Sequence, residues 1–345
     1  MQVTTIGLDL AKQVFQVHGI DAQGNAVIRK ALRRAHVLPF FQELSPCLVG
    51  IEACSSANYW AREFMKLGHT VKLMPPSYVK PYVKRGKTDA ADAEAICEAV
   101  RRPTMRFVPV KSPDQQAVLM LYRARSLLMR QRIMAVNALR GHLAEFGVVA
   151  GQGAKNLREL VERVFAIDAD QPALPRLAHI ALRPLVMQLN DLQAHIRAIE
   201  VELLAWHRTS EASKRLETIP GVGFITATAI AATVTDPTHF KSSRQFAAWL
   251  GLTPKQNSSG GKERLGGISK MGDRYLRTLL VVGATSVIRY ARDKGSVSAT
   301  WINRLLAKKP SRLVSVALAN KTARIAWALL VRQENYRAPT MPAVA

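Results

Sequence analysis

Over the first hundred positions apolar residues fall in short runs broken by turn residues. VTTIGLDL (3–10) and VFQVHGI (14–20) read as strands, and the DAQGN turn leads into AVIRKAL as a third, so the three predict a meander. A helical segment around residues 36–44 precedes CLVGIEA, an apolar strand ending at Glu52. SSANYWAREFMKLG has a Ser start and a Gly stop, as a helix does, and TVKLM gives a further strand. The Pro-punctuated connection PPSYVKPYVKRG then enters the helix TDAADAEAICEAV. Three early strands followed by alternating helices and strands predict a mixed α/β sheet with helices on its faces.

The period changes after residue 112. Helical patterning runs from about 113 to 146 and again from about 173 to 209. In the second block Leu182, Leu185, Leu189, Leu192, Ile196, Ile199, Leu203 and Trp206 follow alternating steps of three and four. That seam suits a coiled coil, within or between chains, or a bundle helix facing the body of the protein. In RLETIPGVGFITATAIAA a Pro-Gly-Val-Gly turn stands between two helical runs. Its glycines, Gly221 and Gly223, allow either a helix-hairpin-helix contact with a phosphate or a buried turn without a ligand. TPKQNSSGGKERLGGISKMG (253–272) is too rich in Gly and Ser for regular structure, yet helical runs bound it, and long loops in compact domains are often functional. Helix continues to about residue 333, and APTMPAVA is a loose tail.

Charge sharpens this outline. The 345 residues are 48% hydrophobic, enough core for two or three domains. Formal net charge is +24, and its distribution is uneven. Residues 1–110 hold 15 basic and 9 acidic side chains, residues 111–240 hold 15 and 12, and residues 241–345 hold 19 and 4. The last segment, at +15, is the strongest candidate for a phosphate-backbone surface. Cys47, Cys54 and Cys97 make no close-spaced metal pattern and fit a reduced cytoplasmic protein. No apolar stretch reaches the roughly 18 residues needed to span a bilayer, and no basic leader with an apolar core opens the chain, so no membrane role is expected.

Against this basic background four acids stand out. Asp9 ends the first strand, Glu52 ends the CLVGIEA strand, and Asp89 and Asp92 lie three residues apart on one helix face. Adjacent strands would bring them together, and four such carboxylates repel unless a divalent cation joins them. Hard oxygen ligands suit Mg2+, or Mn2+, and such a site serves phosphoryl chemistry. Taken singly, Asp9 could cap a turn and Asp89 could complement a helix dipole.

GLDLAK, GIEAC, KRGKTDAADAEAI, IPGVG and SSGGKERLGGISKMGDRYLR together resemble transposases of the insertion sequence 110 family, over nearly the whole chain. The resemblance implies a ribonuclease-H-like, resolvase-like catalytic domain at 1–110 and a helical coiled-coil or oligomerisation region at 111–211. It further implies an α-helical transposase domain at 212–335, followed by a tail at 336–345. Its DEDD tetrad falls on Asp9, Glu52, Asp89 and Asp92. A catalytic serine falls on Ser259, with Ser258 the neighbouring register, and would attack DNA to form a phosphoserine link. Implied partners are donor and target double-stranded DNA, a bridge non-coding RNA, and further copies of the chain as a dimer assembling to a tetramer. The expected activity is excision and insertion of a mobile element in the cytoplasm, at the nucleoid. Lys84, Arg85, Lys87, Lys262, Arg264, Lys270, Arg274 and Arg277 are the expected nucleic-acid contacts, or else a solvated face. His239 and Tyr275 read as structural. Two alternatives remain: a metal-dependent junction endonuclease that uses water, and a non-catalytic nucleic-acid scaffold.

Overall fold

The computed structural model describes residues 2–338 apart from Arg85, Lys87, Gln152, Ala154, Lys155, Leu157, Arg158, Leu160, 163–173 and 292–296. The chain divides into two compact units, Met1–Asp114 and Gln115–Ala345.

The first unit is built on a five-stranded mixed sheet. Its strands are β1 (Thr5–Asp9), β2 (Val14–Ile20), β3 (Ala26–Arg33), β4 (Leu48–Glu52) and β5 (Thr70–Met74), in the order β3-β2-β1-β4-β5. β1, β2 and β3 form the expected antiparallel meander, while β4 runs parallel to β1 and β5 parallel to β4. Alternation sorts the residues between two faces. Ile6, Leu8, Phe15, Val17, Val49 and Ile51 are buried against helices α1 (Val37–Gln42) and α2 (Ala57–Lys66). There Phe41 stacks on Phe64 with ring centroids 4.1 Å apart. α3 (Pro76–Val79) supplies a short turn inside the expected connection, where a proline at the first helical position is pre-set for helix. α4 (Asp89–Val100) covers the other face, and Ala95, Ile96, Ala99 and Val100 pack with Met74 and Val79. This is a ribonuclease-H-like arrangement.

The second unit is mainly helical: α5 (Pro113–Ala144), α6 (Arg176–Thr209), α7 (Glu211–Glu217), α8 (Phe224–Thr233), α9 (Ser243–Trp249), α10 (Arg274–Ala291), α11 (Val297–Leu306) and α12 (Ser311–Arg332). The α6 seam is covered within the chain. Leu182 and Leu189 pack with Leu139 and Leu143 of α5, and Leu203 joins the central core. α12 is apolar and long enough to cross a membrane by length and composition, but its Ala319, Ala323, Ala326 and Leu329 are buried in that core. The Gly/Ser-rich loop departs from expectation. It holds a two-stranded antiparallel hairpin, β6 (Pro254–Gln256) with β7 (Leu265–Ile268). The glycines that argued against regular structure form its turn, where Gly260 and Gly261 adopt φ of 55° and 75°.

Candidate metal centre

Register places the acids. β1 and β4 pair through Thr5↔Leu48 to Leu8↔Ile51, so Asp9 and Glu52 each follow the last matched pair at the same sheet edge. Both share the face of Gly7 and Gly50, the face that α4 covers. Gly7 and Gly50 are themselves register partners, and their missing side chains let α4 lie against the strands. A Cβ on Gly7 would stand 2.1 Å from the Ala93 carbonyl oxygen, and one on Gly50 would stand 2.8 Å from Val100 Cβ. The first turn of α4 therefore reaches the end of β1.

The result is a cluster of carboxylates. One oxygen each from Asp9, Asp89 and Asp92 lie within 4.8 Å of one another, with Asp89 exposed and the other two half-buried. Opposite oxygens on one magnesium ion stand about 4.2 Å apart, so the donor type and spacing fit a hard divalent cation. Glu52, at the end of the neighbouring strand, is not among the three. The helix start is fixed by Thr88, whose hydroxyl accepts the Ala91 N–H at 3.2 Å, and the acids of this first turn sit favourably on the helix dipole. Lys84 Nζ donates to Glu94 at 2.6 Å, tying the basic prefix to α4. That hydrogen bond holds the Glu94 carboxyl below its ordinary pKa. Arg85 and Lys87 lie outside the described residues.

Sequence reasoning missed the two glycines. Their signal was present: GLD (7–9) and GIE (50–52) repeat one order of glycine, aliphatic residue and acid.

The other expected site residues fall in the second unit. Gly221, with φ 84°, is packed so closely on α10 that a Cβ would lie 2.6 Å from Val287 Cγ2, so its conformation serves packing. Gly223 is the exposed N-cap of α8. Lys262, Arg264, Lys270 and Arg274 are exposed on or beside the hairpin. Arg277 is committed elsewhere, since its Nη1 donates to the carbonyls of Leu250 at 2.9 Å and Met271 at 3.3 Å and fastens the hairpin's base. Tyr275 packs beside Tyr122 with ring centroids 5.7 Å apart, and burial raises its phenol pKa. His239 stands 3.3 Å from Asp236 in an exposed turn. A Ser–His–Glu chain does occur, with His207 2.8 Å from Ser213 Oγ and 2.9 Å from Glu217. Ser213 is wholly buried, so this chain joins α6 to α7 and offers no accessible nucleophile.

A transposase model of the DEDD type for insertion sequence IS110 matches residues 6–147, and the model described as "Transposase IS116/IS110/IS902 family" matches residues 213–297. A protein of Pseudomonas aeruginosa called "Probable family 20 transposase" is 51% identical over 98% of this chain and 99% of its own. The chain belongs to the IS116/IS110/IS902 transposase family. Two further relatives are similar across most of both chains. The "Putative transposase y4pF/y4sB" of Sinorhizobium fredii is 48% identical over 97% of this chain and 86% of its own. The "Transposase for insertion sequence element IS1111A" of Coxiella burnetii is 41% identical over 97% and 92%.

Membership and geometry together correct the expectation of serine attack. The fold assembles Asp9, Asp89 and Asp92, and the DEDD match runs across the residues that carry them. Ser259 lies in an exposed hairpin turn, where its carbonyl accepts the Lys262 N–H at 3.1 Å. Among the described residues none forms a hydrogen bond with its hydroxyl, and the Ser258 hydroxyl accepts the Arg264 N–H at 3.1 Å. A serine hydroxyl is a poor nucleophile unless activated, and among the described residues no base is hydrogen-bonded to it.

Proposed function

We propose that this transposase cleaves DNA phosphodiesters by divalent-metal-dependent hydrolysis in its first unit. The observation that carries this reading is the convergence of Asp9, Asp89 and Asp92 on one point at the sheet edge. These three would hold the ion, Mg2+ or Mn2+, and Glu52 at the adjacent strand end completes the acidic edge. A divalent cation there supplies electrophilic polarisation of the phosphodiester and neutralises charge on the departing oxygen. The chain's own part is to fix the acids: Gly7 lets α4 approach, Thr88 starts the helix, and Lys84 is held beside it by Glu94, where it can meet the backbone of bound DNA.

The second unit is the polyanion surface in this reading, with Lys262, Arg264, Lys270 and Arg274 exposed around the hairpin and Gly223 at an open helix start. The net +15 of residues 241–345 supports a nucleic-acid partner without choosing between DNA and the bridge RNA that the resemblance adds. Two DNA duplexes call for more than one copy of the chain. The work is cytoplasmic, at the nucleoid.

The test is cleavage of DNA bearing the element's ends by the full chain, with and without Mn2+. Asp92→Asn should abolish metal-dependent cleavage while leaving DNA binding in EDTA intact. Cleaved strands should be free of protein after denaturation. Strands that stay attached to protein, or cleavage that survives Asp92→Asn, would overturn the reading.

A further inference from the structure

A groove of about 480 Å3 opens on the second unit, lined by Ser243 of α9, Trp301 of α11, and Asn320, Lys321, Arg324 and Ile325 of α12. Its polar chemistry has one sign: two cations, a hydroxyl and an amide, with no carboxylate in the lining. The surroundings share that sign. Described residues 297–338 hold eight Lys and Arg and a single acid, Glu334.

One of the groove's cations is in place before any ligand arrives. Lys321 Nζ lies 4.5 Å from the centre of the Trp301 ring, an attraction that keeps the ammonium at the groove. Arg324 is exposed and three residues further along α12, so the two charges share a face. Neither forms an ion pair with an acid among the described residues. Asn320 fixes that side of the groove by donating to the Leu252 carbonyl at 3.1 Å. A half-buried indole beside two unneutralised cations suits a chain of phosphates whose sugars and bases have apolar faces. It suits an acidic peptide less well, because nothing on a peptide carboxylate needs the ring.

We propose that this groove is a further nucleic-acid contact, in which Lys321 and Arg324 hold backbone phosphate and Trp301 packs against the adjoining sugar or base. It belongs to the second unit, whereas the carboxylate cluster belongs to the first, and it needs no metal.

The test uses the full chain in EDTA with labelled duplex DNA, single-stranded DNA and single-stranded RNA, followed by fluorescence anisotropy over a range of salt. A Lys321→Gln/Arg324→Gln double variant should bind at least one of these about tenfold more weakly. For that nucleic acid the log–log salt slope should shrink by about 1.4 for a single strand or about 1.8 for a duplex. The arm that shows the loss identifies the strand type. In the wild-type chain the same nucleic acid should protect Lys321 from acetylation, a readout that does not depend on how the variant folds. Equal affinity and slope in all three arms, or undiminished Lys321 acetylation, would overturn the proposal. Mn2+ binding by the double variant should equal that of the wild type, so failure of the metal centre and failure of the groove are read separately.

Discussion

Gly7→Ala should damage the metal centre without touching an acid. The added Cβ would stand 2.1 Å from the Ala93 carbonyl oxygen, 2.4 Å from the Cys97 amide nitrogen and 2.7 Å from Cys97 Cβ. All three belong to the body of α4, so no side chain can rotate away. An ordinary contact begins near 3.4 Å, so the helix must retreat by about 1.3 Å (3.4 less 2.1) from β1. Overpacking of this kind costs roughly 1–3 kcal/mol, and a clash with helix backbone belongs near the top of that range. Ala93 follows Asp92 directly, so the same retreat carries Asp92 and Asp89 away from Asp9. Ligand distances tolerate only about 0.2 Å, and Mn2+ affinity should therefore fall by an order of magnitude or more.

Two measurements check this: Mn2+ binding by electron paramagnetic resonance, and thermal unfolding in EDTA. Two other glycines calibrate the result. Gly50→Ala presses on Val100, at the far end of α4, and should destabilise with a smaller loss of metal affinity. Gly141→Ala, within α5 with open space around it, should stabilise its helix by about 1 kcal/mol. A folded Gly7→Ala protein that binds Mn2+ as wild type does would refute the positioning argument, even if its melting temperature had dropped.

Three other outcomes follow from the same residues. Asp92→Asn should abolish the rise in melting temperature that Mn2+ gives the wild type; a variant stabilised by Mn2+ as the wild type is would count against a shared ion site. Burial lifts the thiols of Cys47 and Cys97 to a pKa of about 11, so near pH 8 only about one in a thousand is thiolate, and mass spectrometry of the native protein after brief alkylation should find exposed Cys54 modified first. Burial also lowers the His18 pKa, against the pull of Glu94 and with that of Arg29 and Lys84; the unfolded chain then gains a proton near pH 6.5 that the fold refuses. Stability from this group is thus full above about pH 6.5 and lost as pH falls towards the folded value, and His18→Gln should flatten that part of a urea-midpoint curve.

Much of the first unit was legible because its signals are local. Period-two alternation set Ile6 and Leu8 opposite Gly7 and Asp9, and turn residues bounded each strand. What alternation could not give was the neighbour of each strand. The convergence of Asp9 with Asp89 and Asp92 depends on α4 crossing β1 at Gly7, a contact between residues more than eighty positions apart. The hairpin failed as an expectation for a related reason. Low strand propensity at Gly260, Gly261, Gly266 and Gly267 was counted against regular structure, whereas the first two of these glycines make the turn. Arg277 shows the same limit for charge, because composition counts a guanidinium as surface until Leu250 and Met271 are found holding it.

Electrostatics explains why the two kinds of charge fall in different units. Three clustered carboxylates repel each other and would repel a phosphate backbone as well, and a bound divalent cation would relieve both. Interspersed lysines would neutralise the acids directly and compete with the ion for them. Lys84 is paired with Glu94, and the densest positive charge, at residues 241–345, belongs to the other unit. In the proposed reading, binding the polyanion falls mainly to one unit and activating it to the other. Salt should therefore weaken DNA binding steeply while leaving the Mn2+ affinity of the cluster far less changed, and equal sensitivity of the two would mean that lysines and acids share one site after all.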